Sequence, residues 1–295
     1  MPDVENAVAA TGTYQLGERT VHRMGYGAMQ LAGPGVFGPP KDREAAHAVL
    51  REALALGIDH IDTSDFYGPH VTNQIIREAL HPYPAHLTIV TKLGARRDDD
   101  GGWLPAMSAD ELRRAVDSNC ANLGVERIEI ANLRLMFGAG DEGPTAGDVR
   151  PLLEPLIALK EEGRIGALGI SNALPEQVHD ARSMTDIVCV QNMYNLAHRG
   201  DDGLIDELAD AGIAYVPFFP LGGFNPLQSE ALDKEARDLG ATPMQVALAW
   251  LLQRSPNLLL IPGTSSVAHL RENVAAAKLD LPQDTIGRLN AIGAS

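Results

Sequence analysis

The sequence predicts an α/β protein, a single-domain (β/α)8 barrel, and three observations predict it. Short apolar runs alternate with longer amphipathic segments, the pattern of a parallel sheet. Counted from Met24 there are eight such runs, which favours closure into a barrel. No run opens into the Gly-x-Gly-x-x-Gly helix entry of an open doubly wound sheet; Met24-Gly-Tyr-Gly27 has only two of those glycines and leads into a loop. No linker or shift of composition divides the chain. The expected organisation is a flexible segment over residues 1–12 and one barrel over 13–295.

Tyr14 to Val21 alternates around Leu16-Gly-Glu-Arg19 and reads as a β-hairpin, expected to close the bottom of the barrel. The first barrel strand is read from Met24 to Met29. A Gly/Pro-rich loop (Gly33 to Pro40) and a helix from about Asp42 to Leu56 follow, with Gly57 as its stop. Then come a strand ending at Asp62, a helix near Thr72 to Leu80, and a strand ending at Lys92. A loop through Asp98-Asp-Asp-Gly-Gly-Trp103 precedes a helix that Ser108 caps, Glu111 completing the capping box. That helix stops at Gly124, before the strand Ile128 to Arg134. A helix from Val149 to Glu162 stops at Gly163, and the strand Ile165 to Ile170 follows. The remaining strands are Ile187 to Asn192, Ile213 to Phe219 and Leu258 to Ile261.

Composition narrows the function classes. Hydrophobic residues are 45% and charged residues 21%, ordinary for a folded domain. A formal charge of −15, from 39 acidic against 24 basic residues, repels polyanions, so no nucleic-acid partner is expected. Cys120 and Cys189 are too few for a disulfide framework or a cysteine metal site, and Cys189, inside Ile187-Val-Cys-Val190, reads as a buried thiol. Nine scattered histidines show no compact ligand pair, so no metal is expected. The start of the chain lacks a basic and apolar leader, and no apolar run approaches the roughly 20 residues that span a bilayer. A cytoplasmic monomer or weak oligomer, away from membranes, is the expectation.

His60 to Gly68 runs His-Ile-Asp-Thr-Ser-Asp-Phe-Tyr-Gly, an apolar start that turns polar before a glycine turn. Leu87 to Lys92 repeats that form and ends on a charge. As neighbouring parallel strands, the two would gather Asp62, Tyr67 and Lys92 at their C-terminal ends. A phenol has a pKa of about 10, and a nearby ammonium eases its proton release. Asp62 would hold Lys92 by a charge-assisted hydrogen bond, and the group would suit protonation of a carbonyl oxygen. The same residues also read as a buried lysine–aspartate pair beside an unrelated tyrosine, and spacing alone does not separate the two.

Several motifs occur in order: Gly25-Tyr-Gly-Ala-Met-Gln30, Asp62 to Gly68, Thr91-Lys92, Leu168-Gly-Ile-Ser-Asn172, Val190-Gln191, Pro220-Leu-Gly222, Ile261-Pro-Gly-Thr264 and Glu272-Asn273. With them the chain resembles the aldo-keto reductase superfamily, from the hairpin to about Ala291. The resemblance implies a barrel that uses NADPH without a Rossmann fold to reduce a small-molecule aldehyde. It implies Tyr67 as general acid, with Asp62 and Lys92 tuning it. Gly27, Ala28, Met29 and Asp62 would contact the cofactor, and Ser171, Asn172 and Gln191 would bind the nicotinamide carboxamide. Phe218 would stack on the nicotinamide with Phe219 beside it, and Pro220, Leu221 and Gly222, continuing to Gly223, would lie along the pyrophosphate. Gly263, Thr264, Ser265, His269, Glu272 and Asn273 would hold the adenosine end.

Two departures stand out. Where most members carry a histidine at the end of the fourth strand, Ile130-Ala-Asn-Leu-Arg134 places an arginine. Arg134 would stabilise a developing alkoxide but cannot shuttle a proton. Its charge would also depress the pKa of Tyr67 or bind a substrate anion; a purely structural salt bridge is the alternative. Where many members have a lysine for the 2′-phosphate of NADP, Gly263 stands, with Arg271 the nearest basic residue. His70, three residues after Tyr67, reads as a loop residue rather than a replacement histidine. Gly25 to Pro40, Asn132-Leu-Arg134 and Tyr215 to Gly223 resemble the bacterial branch that reduces pyridoxal to pyridoxine. That resemblance implies a pocket lined by Phe37, Phe66 and Trp103. A broad carbonyl reductase and an NADPH-binding regulatory protein are the alternatives.

Overall fold

Parallel strands curl round until the last meets the first, as the computed structural model describes for residues 7–138, 143–220, 222 and 229–292. A hairpin comes first, β1 (Thr13–Leu16) paired antiparallel with β2 (Arg19–His22). The barrel strands are β3 (Tyr26–Gly27), β4 (His60–Asp62), β5 (Thr88–Arg97), β7 (Ile128–Arg134), β8 (Ile165–Ser171), β9 (Ile187–Gln191) and β10 (Ala214–Tyr215). They lie side by side in that order, every neighbouring pair parallel. β6 (Trp103–Ala106) pairs antiparallel with the far end of β5.

The eighth position is filled by residues 258–263. Leu258 bridges Tyr215 on one side, while Leu260 and Gly263 bridge Met24 and Gly27 on the other. Gly25 N donates to Leu260 O at 2.7 Å and Leu260 N to Arg23 O at 2.8 Å. Pro262 has no N–H, so the ladder ends after isolated bridges instead of growing into a strand. Pro217 acts likewise in the expected strand Ile213 to Phe219. Only Ala214–Tyr215 form a strand, although Val216 N and Phe218 N still reach Val190 O and Asn192 O at 2.8 and 2.9 Å. The expected first strand is shorter too, because Ala28–Leu31 tighten into a 3-10 turn.

Two further expectations need correction. The Asp98 run is not a plain loop but the turn of the β5–β6 hairpin, in which Asp98 Oδ1 accepts from Asp100 N at 3.0 Å and Gly102 N at 2.6 Å. An aspartate side chain folding its own backbone in this way initiates turns. Nor are residues 7–12 loose: α1 (Ala7–Ala10) buries Ala7 and Val8 in the core, against α10 (Val267–Ala275). Its apolar side chains have a surface to cover there, which compensates the cost of ordering so short a helix.

The helices follow their capping residues. Asp42 Oδ1 accepts from Ala45 N at 2.9 Å at the start of α2 (Arg43–Ala55). α3 (Val71–Leu80) follows β4. α4 (Ala109–Leu123) opens on the Ser108/Glu111 capping box and ends at Gly124, whose φ is 72°. Side chains alternate across a strand. One set, including Ile61, Leu133, Leu168 and Ile170, packs with the helices. The other, Val90, Ile130, Cys189, Val216, Leu259 and Ile261, meets Leu16 and Val21 of the hairpin. The hairpin therefore plugs the bottom of the barrel. Among the described residues, no helix is long and apolar enough to cross a membrane.

Leu16 is fully buried at that plug. Leu16→Ala should cost about 2–4 kcal/mol of unfolding free energy, read from urea titrations. A loss below about 1 kcal/mol would mean that the hairpin only rests on the barrel.

Candidate active site

The parallel register sets the polar group at the upper end of the barrel. Asp62 ends β4, Lys92 lies on β5 opposite Asn132 of β7, and both charged residues are 4% exposed. Lys92 Nζ donates to Asp62 Oδ1 and, at 3.1 Å, to Thr63 O. Tyr67 follows in the loop after β4, with its N–H on Ser64 O at 3.2 Å and its carbonyl accepting from Thr72 N at 3.2 Å. Lys92 Nζ lies 5.3 Å from the centre of its ring. The structure thus brings the expected trio together.

Its electrostatics differ from the expectation of an easily ionised phenol. Burial raises the Tyr67 pKa and the Asp62 charge adds to that, while Lys92 and Arg134 pull it down without reversing the rise. Burial also lowers the Lys92 pKa, but Asp62 and Tyr67 outweigh it and the net direction is upward. The result is a neutral phenol beside a charged ammonium.

The loop that carries Tyr67 is braced from behind by Asp65. Asp65 Oδ2 accepts from Ser118 Oγ at 2.5 Å and lies 2.8 Å from His70 Nδ1; Oδ1 accepts from Asn122 Nδ2 at 2.9 Å and Asn73 Nδ2 at 3.1 Å. Helices α3 and α4 are thereby tied to the loop. His70 has a φ of 67° and turns to Asp65, which raises its pKa by hydrogen bonding.

Arg134 ends β7 opposite Ser171, its guanidinium carbon 5.6 Å from the Phe218 ring. Ser171 Oγ is buried and has no hydrogen-bond partner among the described residues, so a polar group of a bound molecule would complete it. Asn172, at φ 57°, donates from Nδ2 to Leu135 O at 3.0 Å. Gln191 Nε2 donates to Asp62 Oδ2 at 2.9 Å. Phe218 and Phe219 meet edge-on with centres 5.4 Å apart, and Gly222 N donates to Phe219 O at 2.9 Å. Leu221 and Gly223 of the expected pyrophosphate loop lie outside the described residues; Pro220 is buried.

Further round, Gly27 and Gly263 bridge each other across the closure, next to Ala28. Thr264 is buried and its Oγ1 accepts from Ser266 N at 3.1 Å; Ser266 caps α10, whose first turn carries His269. Ser265 and His269 are exposed, Glu272 is half-buried and Asn273 is buried. Arg271 is held by Glu52, Nε to Oε1 at 2.7 Å. Gly27 and residues 263–266 thus lie along the barrel closure and lead into the N-terminus of that helix.

The aromatic residues also converge. Phe66 lies 5.5 Å edge-on from both Tyr67 and Trp103, and Phe37 bridges Gly68. Met29, expected at the cofactor, packs against this cluster with Val36, Ala95 and Met136. One residue that sequence reasoning missed organises the wall. Arg97 sits 4.1 Å over Trp103 and 5.5 Å over Phe37, and donates to Val36 O at 2.8 Å, Gly35 O at 3.0 Å and Gly101 O. Its only signal in the sequence is a charge just after a β-branched run, indistinguishable from a surface residue. Arg97→Met should release the loop over residues 33–38, raising amide hydrogen exchange there at least about tenfold while β7–β9 stay protected. Unchanged exchange at 33–38 would show that Gly68 alone fastens the loop.

Known proteins bear on this geometry in three ways. The model of the Aldo/keto reductase family matches residues 23–294. Pyridoxine 4-dehydrogenase of Escherichia coli (strain K12) is 62% identical over 283 residues, 96% of this chain and 99% of that protein. An uncharacterized oxidoreductase of Schizosaccharomyces pombe is 37% identical, over 96% of this chain and 90% of that one. Among solved structures, a thermostable aldo-keto reductase in complex with the inhibitor epalrestat superposes with a TM-score of 0.80 at 26% identity, covering 95% of this chain and 99% of that one. An aldo-keto reductase from Klebsiella pneumoniae in complex with NADPH, at TM-score 0.77 and 21% identity over 95% and 94%, speaks for the fold alone. With a barrel, a Tyr67–Lys92–Asp62 group at its mouth and a match from Arg23 almost to the end, the chain belongs to the aldo/keto reductase family.

Proposed function

We propose that this protein reduces an aldehyde to an alcohol with NADPH, and that pyridoxal, reduced to pyridoxine, is its substrate. Tyr67 carries the reading: a buried phenol kept protonated at the barrel mouth, between the cations of Lys92 and Arg134. The 62% identity to pyridoxine 4-dehydrogenase over 96% of the chain supports the choice of aldehyde. NADPH, when bound, supplies the hydride. The chain's own residues do the rest. Tyr67 donates its proton to the carbonyl oxygen, and the nearby Lys92 ammonium stabilises the phenolate that remains. Arg134 stabilises negative charge as it develops on the substrate oxygen. Asp62 and Thr63 O hold the lysine in place.

The residues present fit the cofactor. The Ser171 hydroxyl, without a partner among the described residues, is suited to a carboxamide, and Phe218 offers a ring face beside Arg134. Gly263, Thr264 and Ser265 lead into the N-terminus of α10, where backbone N–H groups favour a phosphate. With Arg271 paired to Glu52, preference for NADPH over NADH would rest on those amides and hydroxyls. Phe37, Phe66 and Trp103 would face a pyridine ring. Two free cysteines, both buried, accord with a cytoplasmic location, and a monomer or weak oligomer is part of the same reading.

Tyr67→Phe should lower kcat/KM for pyridoxal by about 10²–10⁴-fold while NADPH still binds. Unchanged, very slow turnover would favour a regulatory protein instead. Pyridoxal turning over no faster than benzaldehydes would leave a broad carbonyl reductase. In the reverse direction Tyr67 must first lose its proton, and its pKa lies above the usual value. The kcat/KM for alcohol oxidation should therefore climb with pH from neutrality to about pH 10 without a plateau. A plateau below about pH 8 would identify a different base.

A further inference from the structure

From the Lys92–Asp62 pair a line of hydrogen bonds runs on to neighbouring strands. Gln191 Nε2 donates to Asp62 Oδ2 at 2.9 Å, Asn132 Nδ2 donates to Gln191 Oε1 at 3.2 Å, and Cys189 Sγ donates to Asn132 Oδ1 at 3.1 Å. Asn132, Cys189 and Gln191 are all fully buried. Neighbouring Gly169 makes the room: a Cβ there would stand 2.0 Å from Asn132 Oδ1 and 2.6 Å from Cys189 Sγ.

The direction of the line is dictated at both ends. A carboxylate only accepts, so the nitrogen of Gln191 must face Asp62. Its oxygen then faces Asn132, which must offer an N–H. The oxygen of Asn132 is left for a donor, and Cys189 is one: burial pushes its thiol up to about 12, so the S–H persists across the working range. Asn132 thus completes an orientation that Asp62 sets, its N–H meeting the Gln191 oxygen and its own oxygen meeting the Cys189 thiol. Asparagine alone among side chains of its size supplies both an acceptor and a donor at these two points.

We propose that Asn132 is a positioning residue, acting through Gln191 to hold one face of the nicotinamide site and the second oxygen of Asp62. The proposal rests on the NADPH reading above. Had Asn132 merely filled space, a near-isosteric apolar residue would change stability and leave cofactor affinity alone.

The test is a double-mutant cycle on the full-length protein, reading NADPH dissociation constants by fluorescence titration alongside thermal unfolding without cofactor. Asn132→Leu should weaken NADPH binding by about three- to tenfold and lower kcat for aldehyde reduction, through loss of the donor to Gln191. Asn132→Asp keeps the acceptor for Cys189 but faces Gln191 with a second carboxylate. It should weaken binding more, by about tenfold or beyond, whichever variant unfolds first. In a Gln191→Leu background, Asn132→Leu should change the dissociation constant by less than about twofold, because its route of action is gone. Binding within about twofold of wild type in both single variants would overturn the proposal, as would effects of the two leucine substitutions that simply multiply. If Asn132→Asp does not fold, Asn132→Leu and the double variant decide alone. A wild-type protein with no affinity for NADPH would overturn the cofactor reading and this proposal with it; wild-type affinity with insensitive variants overturns this proposal only.

Discussion

A lysine and an aspartate face each other inside this barrel, and the upper half of the molecule is built around keeping them there. Taking two charges out of water costs several kcal/mol per ion, and the pair repays that cost only with good geometry and every remaining hydrogen-bonding site occupied. Here Asp62 gives one oxygen to Lys92 and the other to Gln191, while Lys92 has Thr63 O as a further acceptor. The neutral phenol of Tyr67 lies against this compensated pair. It is buried enough to keep its proton and close enough to a cation to release it into a reaction.

The interior is graded to suit. At the bottom, Leu16 and Val21 of the hairpin join Val90, Ile130, Cys189, Val216, Leu259 and Ile261 in an apolar plug. Above it lies the polar layer of Asp62, Lys92, Asn132 and Gln191, and above that Arg134, Ser171 and Tyr67 at the mouth. Two residues apart on a parallel strand means one layer up. Cys189 and Gln191, or Ile130, Asn132 and Arg134, therefore record the gradient along a single strand. The mouth is tied down from outside by Asp65, which joins the Tyr67 loop to α3 and α4, and by Arg97, which joins two loops into an aromatic wall.

Much of this was legible in the sequence because it depends on local rules. The helices begin and end where Asp42, Ser108, Gly124 and Gly163 predict, and strand β7 occupies the expected residues 128–134. Where prediction failed, backbone chemistry or a long-range partner intervened. Pro217 and Pro262 shortened two strands, and a self-folding Asp98 turned a loop into a hairpin. Ala7 and Val8 became ordered because the core offered them cover. The predicted downward shift of the Tyr67 pKa also failed, since burial outweighs the cations beside it.

The sequence by itself determined the alternation that makes a barrel and the chemical identity of its polar group, because periodicity, caps and residue type are properties of neighbouring positions. Only the tertiary structure decided how those groups are connected. That Gln191 points its nitrogen at Asp62, that Gly169 clears space for Asn132, and that Arg97 spans Gly35, Val36 and Gly101 are relations between residues distant along the chain. Burial and hydrogen-bond direction arise only when separate strands are brought together, and those two quantities set the protonation of Tyr67 and the orientation of the groups around it.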